Sequence, residues 1–220
     1  MTTYRDFFRT RGKETFSEYW NDFMTYLATD FALTTIEAGG GSATEAIGNL
    51  PHGVLVVTND AADNDYDAFQ TAESFKFVSG KKLQFGARFK LNEVVQSDLM
   101  IGLHIIDTNP FSTEPTDGIY FRKDDGDALL DFVVKKGGTA STLTGTAGVS
   151  ALVADTWHSI EFYYDGGDSI DAFLDGQRIG SLPVTNAPDT EEIAVSFCVQ
   201  NGEAVAKVLS MDLIFARQER

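Results

Sequence analysis

The side chains that could do chemistry are few and scattered. The chain holds three histidines, His52, His104 and His158, and one cysteine, Cys198. No G-x-S-x-G elbow presents a serine to any of them. Surface or structural histidines are therefore expected, with no catalytic residue. Glycoside hydrolysis needs two carboxylates flanking the bond at a set separation. The nearest strings, "TEEIAVSF" and "SIEFYYD", set their acids among apolar residues and supply no such pair. The expected protein is not an enzyme.

Two stretches are rich in hard oxygen ligands. "NDAADNDYD" offers Asp60, Asp63, Asn64, Asp65 and Asp67, and "KDDGDA" offers Asp124, Asp125 and Asp127. That density could hold calcium, but neither stretch has EF-hand spacing. Asp, Asn and Gly also gather in ordinary turns, where their side chains replace backbone partners. The turn reading is preferred, with no metal and no cofactor expected. A sugar would want an aromatic platform beside polar and charged groups. Arg88, His104, Tyr120, Arg122 and Tyr163 could furnish such a ligand face if their strands adjoin in one sheet. The same residues could cover a solvated sheet or a subunit contact.

Charge divides the chain. Net charge is −16. Residues 1–13 carry Arg5, Arg9, Arg11 and Lys13 against Asp6, which is +3 and leaves −19 for the rest. An acidic body repels phosphate backbones, so nucleic acid is not an expected partner. The basic arm is also aromatic. Tyr4, Arg5, Phe7, Phe8, Arg9 and Arg11 are the candidate interface residues, since Arg and aromatic side chains anchor protein contacts. The arm could dock on another protein or a neighbouring copy, or fold back on its own domain.

The elements that must position these groups follow from periodicity. "TFSEYWNDFMTYLATDF" spaces Phe16, Tyr19, Trp20, Phe23, Met24, Leu27 and Phe31 as a helical stripe. Thr15 and Glu18 form a T-x-x-E capping box. This predicts a helix over 16–28, although the β-prone "FALTTIEA" follows at once. Residues 1–38 are thus expected to form an arm and amphipathic helix. From residue 39 to 220 the pattern is alternating, with turns rich in Gly, Asp and Asn. In "KKLQFGARFKL", Leu83, Phe85, Ala87, Phe89 and Leu91 share one face. In "DLMIGLHIID", Leu99, Ile101 and Leu103 oppose Met100, Gly102 and His104. Regular short strands of this kind predict an all-β sandwich or barrel of about one domain's length. Cys198, alone in "IAVSFCVQN", can form no intrachain disulfide and is expected to be a small buried hydrophobe. No stretch approaches the length of a membrane span, and the N-terminus lacks an apolar signal core.

"DTWHSIEFYYDGGDSIDAFLDGQRIGSL" resembles the strand–turn–strand hairpin of concanavalin A-like and laminin-G-like sandwiches, through Trp157, Asp165, Phe173, Asp175, Gly176 and Gly180. "ADNDY", "ARFKL", "IGLHIIDT", "DGIYFRKDDGDALLDFVV" and "VQNGEAVAKVLSMDLIFARQER" resemble segments of tailed-phage structural proteins with this fold. The likeness covers residues 40–220. It implies an all-β, two-sheet antiparallel jelly-roll sandwich in a bacteriophage virion, made in the host cytoplasm and placed on the capsid surface as a decoration or cement protein, with a tail or fibre-associated position as the lesser alternative. The implied partners are the major capsid protein and further copies of the chain, as dimers or trimers. A carbohydrate-binding, lectin-like module for attachment is the alternative.

Overall fold

The computed structural model describes residues 15–38 and 41–220. Among these residues fifteen strands run in chain order. They are β1 (Phe16–Asn21), β2 (Ala32–Ile36), β3 (Thr44–Ile47), β4 (Leu55–Thr58), β5 (Tyr66–Gln70), β6 (Leu83–Leu91), β7 (Ser97–His104) and β8 (Gly118–Lys123). Then follow β9 (Asp131–Lys136), β10 (Thr139–Leu143), β11 (His158–Tyr164), β12 (Ser169–Leu174), β13 (Gln177–Pro183), β14 (Ala194–Asn201) and β15 (Val208–Glu219). An eight-stranded sheet has the order β13-β12-β11-β6-β15-β4-β3, with β1 also paired to β15. A seven-stranded sheet has the order β10-β9-β8-β7-β14-β5-β2. The named pairings are all antiparallel. Of the sandwich or barrel expected from the alternation, the fold is the two-sheet antiparallel sandwich that the resemblance implies.

The core lies between the sheets and follows the period-two pattern. Leu83, Phe85, Ala87, Phe89 and Leu91 of β6 meet Leu99, Ile101 and Leu103 of β7 in one buried cluster. Phenylalanine fills much of it. Phe69 and Phe197 stack at 4.5 Å, and Phe31 stands edge-on to both at 5.8 Å. Offset and edge-on rings use the aromatic quadrupole and fill volume densely.

The hairpin between β12 and β13 turns at Asp175 (φ 51°) and Gly176 (φ 77°). Two successive left-handed residues match the right-handed twist of the flanking strands, which favours Asp-Gly here. The Asp175 carboxylate also accepts the Ser159 N–H at 2.8 Å and the His158 Nδ1–H at 2.8 Å. His158 Nε2 accepts the Val153 N–H at 2.9 Å. Both ring nitrogens are thus used to clamp the hairpin to the β10–β11 connection, and His158 is structural.

The expected helix over 16–28 is not formed. Phe16–Asn21 is a strand on the edge of β15, and only a 3₁₀ turn, Ala28–Asp30, precedes β2. Among the described residues there is no α-helix. The stripe fits two periods over its first turn and a half. Phe16, Glu18 and Trp20 point to one side, and Tyr19 packs on the core. The long last strand offers unpaired backbone groups along this edge, and β1 satisfies them from Phe16↔Glu219 to Asn21↔Ile214. Glu18 completes no capping box. It pairs with Arg217 across the strands at 2.7 Å. The segment 16–36 thereby contributes β1 to one sheet and β2 to the other.

Candidate functional site

The five residues expected on one ligand face lie on two. Consecutive strands β6 and β7 belong to different sheets. Arg88 and Tyr163 therefore sit on the outer side of the eight-stranded sheet, and His104, Tyr120 and Arg122 on the outer side of the seven-stranded sheet. The six arm residues, Tyr4, Arg5, Phe7, Phe8, Arg9 and Arg11, lie outside the described residues.

The outer side of the seven-stranded sheet carries a second apolar cluster. Tyr66, Ala68, Met100, Tyr120, Val133 and Cys198 are buried there, with Phe111 packed on them. Their cover is the β7–β8 connection, residues 105–117. Tyr66 donates its hydroxyl to the Thr108 carbonyl. The Gln70 side chain donates to the Asp107 carbonyl and accepts the Asp107 N–H, each at 2.7 Å. Phe111 meets the Tyr66 ring at 5.9 Å and 70°. Glu114 draws the far end down, with Lys135 at 2.9 Å and Arg122 as ion-pair partners. Arg122 also pairs with Asp131 at 3.3 Å.

The remaining groups here are enclosed as well. His104 is fully buried, donates Nδ1–H to the Ile105 carbonyl at 2.7 Å, and stands edge-on to Tyr120 at 5.9 Å. Burial lowers its pKa to about 4, so the ring is neutral near pH 7. Burial pushes the Tyr120 hydroxyl and the Cys198 thiol up, so neither is an anion at that pH. The Cys198 expectation holds, with no exposed surface. Tyr120 crosses Gly102, where a Cβ would come within 2.4 Å of the Tyr120 Cα. This face is a closed polar–aromatic layer.

The Asp- and Asn-rich stretches act as turns. The Asp65 carboxylate accepts the Ala38 N–H at 2.6 Å and the Ala62 N–H at 3.2 Å. Asn201 donates to the carbonyls of Asp60 and Ala62 at 2.6 and 2.8 Å. In "KDDGDA", Asp127 accepts the Leu129 N–H at 2.7 Å, and Gly126 takes φ 98°. Among the described residues no group of three or more His, Cys, Asp or Glu is placed to hold a metal ion.

The outer side of the eight-stranded sheet is different. Register aligns Trp20, Phe215, Gly86, Glu161 and Phe173 in one row across β1, β15, β6, β11 and β12. Phe215 lies over Gly86, where a Cβ would fall 2.5 Å from the ring. Trp20 stacks on Phe215 at 5.3 Å and 23°, and is still 57% exposed. Further along the chain, on the connection from β1 to β2, Met24 and Leu27 are 64% and 58% exposed. Arg217 lies 4.0 Å over the Phe16 ring.

Arg88 marks the other end of this face. A bulge between Met211 and Leu213 of β15 turns Asp212 outward as an extra residue, and Asp212 ion-pairs with Arg88. The guanidinium lies 4.6 Å over the Trp157 ring, and the Lys90 ammonium lies 5.7 Å from it. With Leu50, Pro51, His52 and Val54 these residues line a depression of about 260 Å³. Sequence reasoning named Arg88 for a ligand face but left out Lys90, which shares its side of the strand, and Trp157 and Asp212. The alternating outward positions of β6 are a signal for Lys90. Nothing in the sequence marks the bulge.

No family model matches the sequence, and no curated protein matches it. Solved structures do match the fold. A protein of unknown function from Shewanella oneidensis aligns at TM-score 0.63 and 18% identity, over 100% of this chain and 95% of that one. A mixed-linkage glucan GH16 protein of Bacteroides ovatus, solved with a product, aligns at TM-score 0.63 and 9% identity, over 89% and 98%. The carbohydrate recognition domain of Emp47p aligns at TM-score 0.61 and 10% identity, over 94% and 98%. The chain has a concanavalin A-like jelly-roll fold. At these identities the likeness reaches the fold and goes no further. None of the three is described as a phage structural protein, so the virion part of the sequence resemblance gains nothing from them.

Proposed function

We propose that this is a non-enzymatic docking protein of a tailed-phage virion, a decoration or cement protein that binds the capsid by the outer side of its eight-stranded sheet. The observation that carries the docking reading is the contrast between the two outer faces. One is closed by the chain's own 105–117 connection. The other presents Trp20, more than half exposed, stacked on Phe215. Exposed apolar clusters mark interaction surfaces, and Trp with Arg is the usual composition of interface anchors. The capsid as partner rests on the sequence resemblance. Dimers or trimers on the capsid surface would multiply a modest contact by avidity.

Pelleting with capsids stripped of decoration tests this. Full-length protein should co-sediment, and Trp20→Ala should weaken that at least about tenfold, as for a central interface tryptophan. A chain starting at Phe16 reports whether the basic aromatic arm adds to the contact. Absence of co-sedimentation by the full-length protein at saturating concentration overturns the capsid reading.

A second reading is carbohydrate binding. It is favoured by the Trp157 depression, where an indole stands beside Arg88 and Asp212. The Emp47p domain shares the fold and is a carbohydrate recognition domain.

A further inference from the structure

We infer that the Trp157 depression is a site for one carboxylated sugar ring, a uronic acid residue. The inference rests on the carbohydrate-binding reading and names its ligand class.

The depression lies on the outer side of the eight-stranded sheet, beside the β3–β4 connection. Tyr163 lies further along the same face, opposite Gln84 of β6. Three features make the depression a built site. Its floor is fixed, because the Arg88–Asp212 ion pair and the Trp157 ring hold the guanidinium from two sides. Its wall is fixed too. His52 and Gly53 take φ 75° and 76°, and Gly53 fits so closely that a Cβ would come within 2.6 Å of the Asp22 carbonyl oxygen. Its charge is unbalanced. Arg88 is neutralised by Asp212, while Lys90 has no ion-pair partner among the described residues. The depression is therefore cationic in a chain of net charge −16. The distant acids are screened over about 8 Å at physiological salt, so the nearby ammonium decides which ligand is preferred.

These features select the ligand. The indole and the side chains of Leu50, Pro51 and Val54 suit the C–H surface of a sugar ring. Lys90 supplies the charge for a carboxylate, and Asp212 can accept a hydrogen bond from a sugar hydroxyl. A volume of about 260 Å³ falls just below the usual range of ligand pockets and suits one ring.

Isothermal titration calorimetry of the full-length protein with a glucuronate trisaccharide and with neutral cellotriose tests the inference. The acidic sugar should bind at least about tenfold more tightly, and the preference should shrink with added salt. Lys90→Gln should weaken glucuronate binding about three- to tenfold and leave cellotriose unchanged. Trp157→Ala should abolish both, and Trp20→Ala should change neither. Equal binding of the two sugars overturns the acidic class and leaves the carbohydrate reading standing. Binding untouched by Lys90→Gln and Trp157→Ala overturns the site. Binding of neither sugar overturns the inference and the carbohydrate reading together, and leaves capsid docking to its own pelleting test.

Discussion

Asp67→Asn should gain stability relative to the parent protein as pH rises from 4 to 8. Asp67 lies on β5 opposite Thr35 of β2 and has no exposed surface. One carboxylate oxygen accepts the Thr35 hydroxyl at 2.5 Å, and Oδ2 is buried without a partner among the described residues. Burial raises the pKa to about 6 from 3.8; the Thr35 hydroxyl offsets part of the rise, and the nearby Glu45, Glu37 and Asp65 add to it. The folded state therefore holds the proton more tightly than the unfolded chain. Stability is lost as pH rises from 3.8 through 6, and the loss is complete above that. A difference of that size between folded and unfolded chain corresponds to roughly 3 kcal/mol. Asparagine keeps an oxygen for Thr35 and carries no charge. Its amide nitrogen adds a buried donor, which costs about 1–3 kcal/mol at every pH. The diagnostic quantity is accordingly the change in the variant's advantage with pH. Urea unfolding of both proteins between pH 4 and pH 8 should show that advantage growing by roughly 3 kcal/mol, with its midpoint between the two pKa values. A pH-independent difference would refute the reasoning.

Two other substitutions probe the closed face. His104 has its pKa lowered to about 4 from 6.5 by burial, so its contribution is present above pH 6.5 and is lost as pH falls toward 4. His104→Phe should remove roughly 3 kcal/mol of acid sensitivity over that window, read from the same urea series; an unchanged acid limb would count against it. Gly102→Ala would place a Cβ 2.4 Å from the Tyr120 Cα. Because backbone cannot step aside, it should destabilise by about 2–3 kcal/mol, seen as a lower melting temperature. An unchanged melting temperature would mean that β7 and β8 are spaced more widely.

Much of the fold was legible because a strand's period is two. Leu83 to Leu91 and Leu99 to Leu103 sort into buried and outward sets as their alternation requires. The Asp175–Gly176 turn was legible because few residue pairs tolerate two left-handed positions. The N-terminal segment was not. Phe16, Tyr19, Trp20 and Phe23 suit a helix or a strand equally over so short a run, and the decision came from the free edge of β15 at the opposite end of the chain. The candidate face failed for a related reason. Alternation says which side of its own strand Arg88 or His104 takes, but not which sheet that strand joins.

Legible in the chain alone were the all-β class, the acidic body and the buried Cys198, with the turn reading of the Asp-rich stretches preferred over a metal. The tertiary structure alone decided that β6 and β7 part company, that residues 105–117 close one outer face, and that a bulge turns Asp212 toward Arg88. Local pattern fixes each strand's two sides, because that depends on backbone geometry. Which sides share a surface depends on pairings between residues far apart in the chain, and those are settled only when the whole core is buried at once.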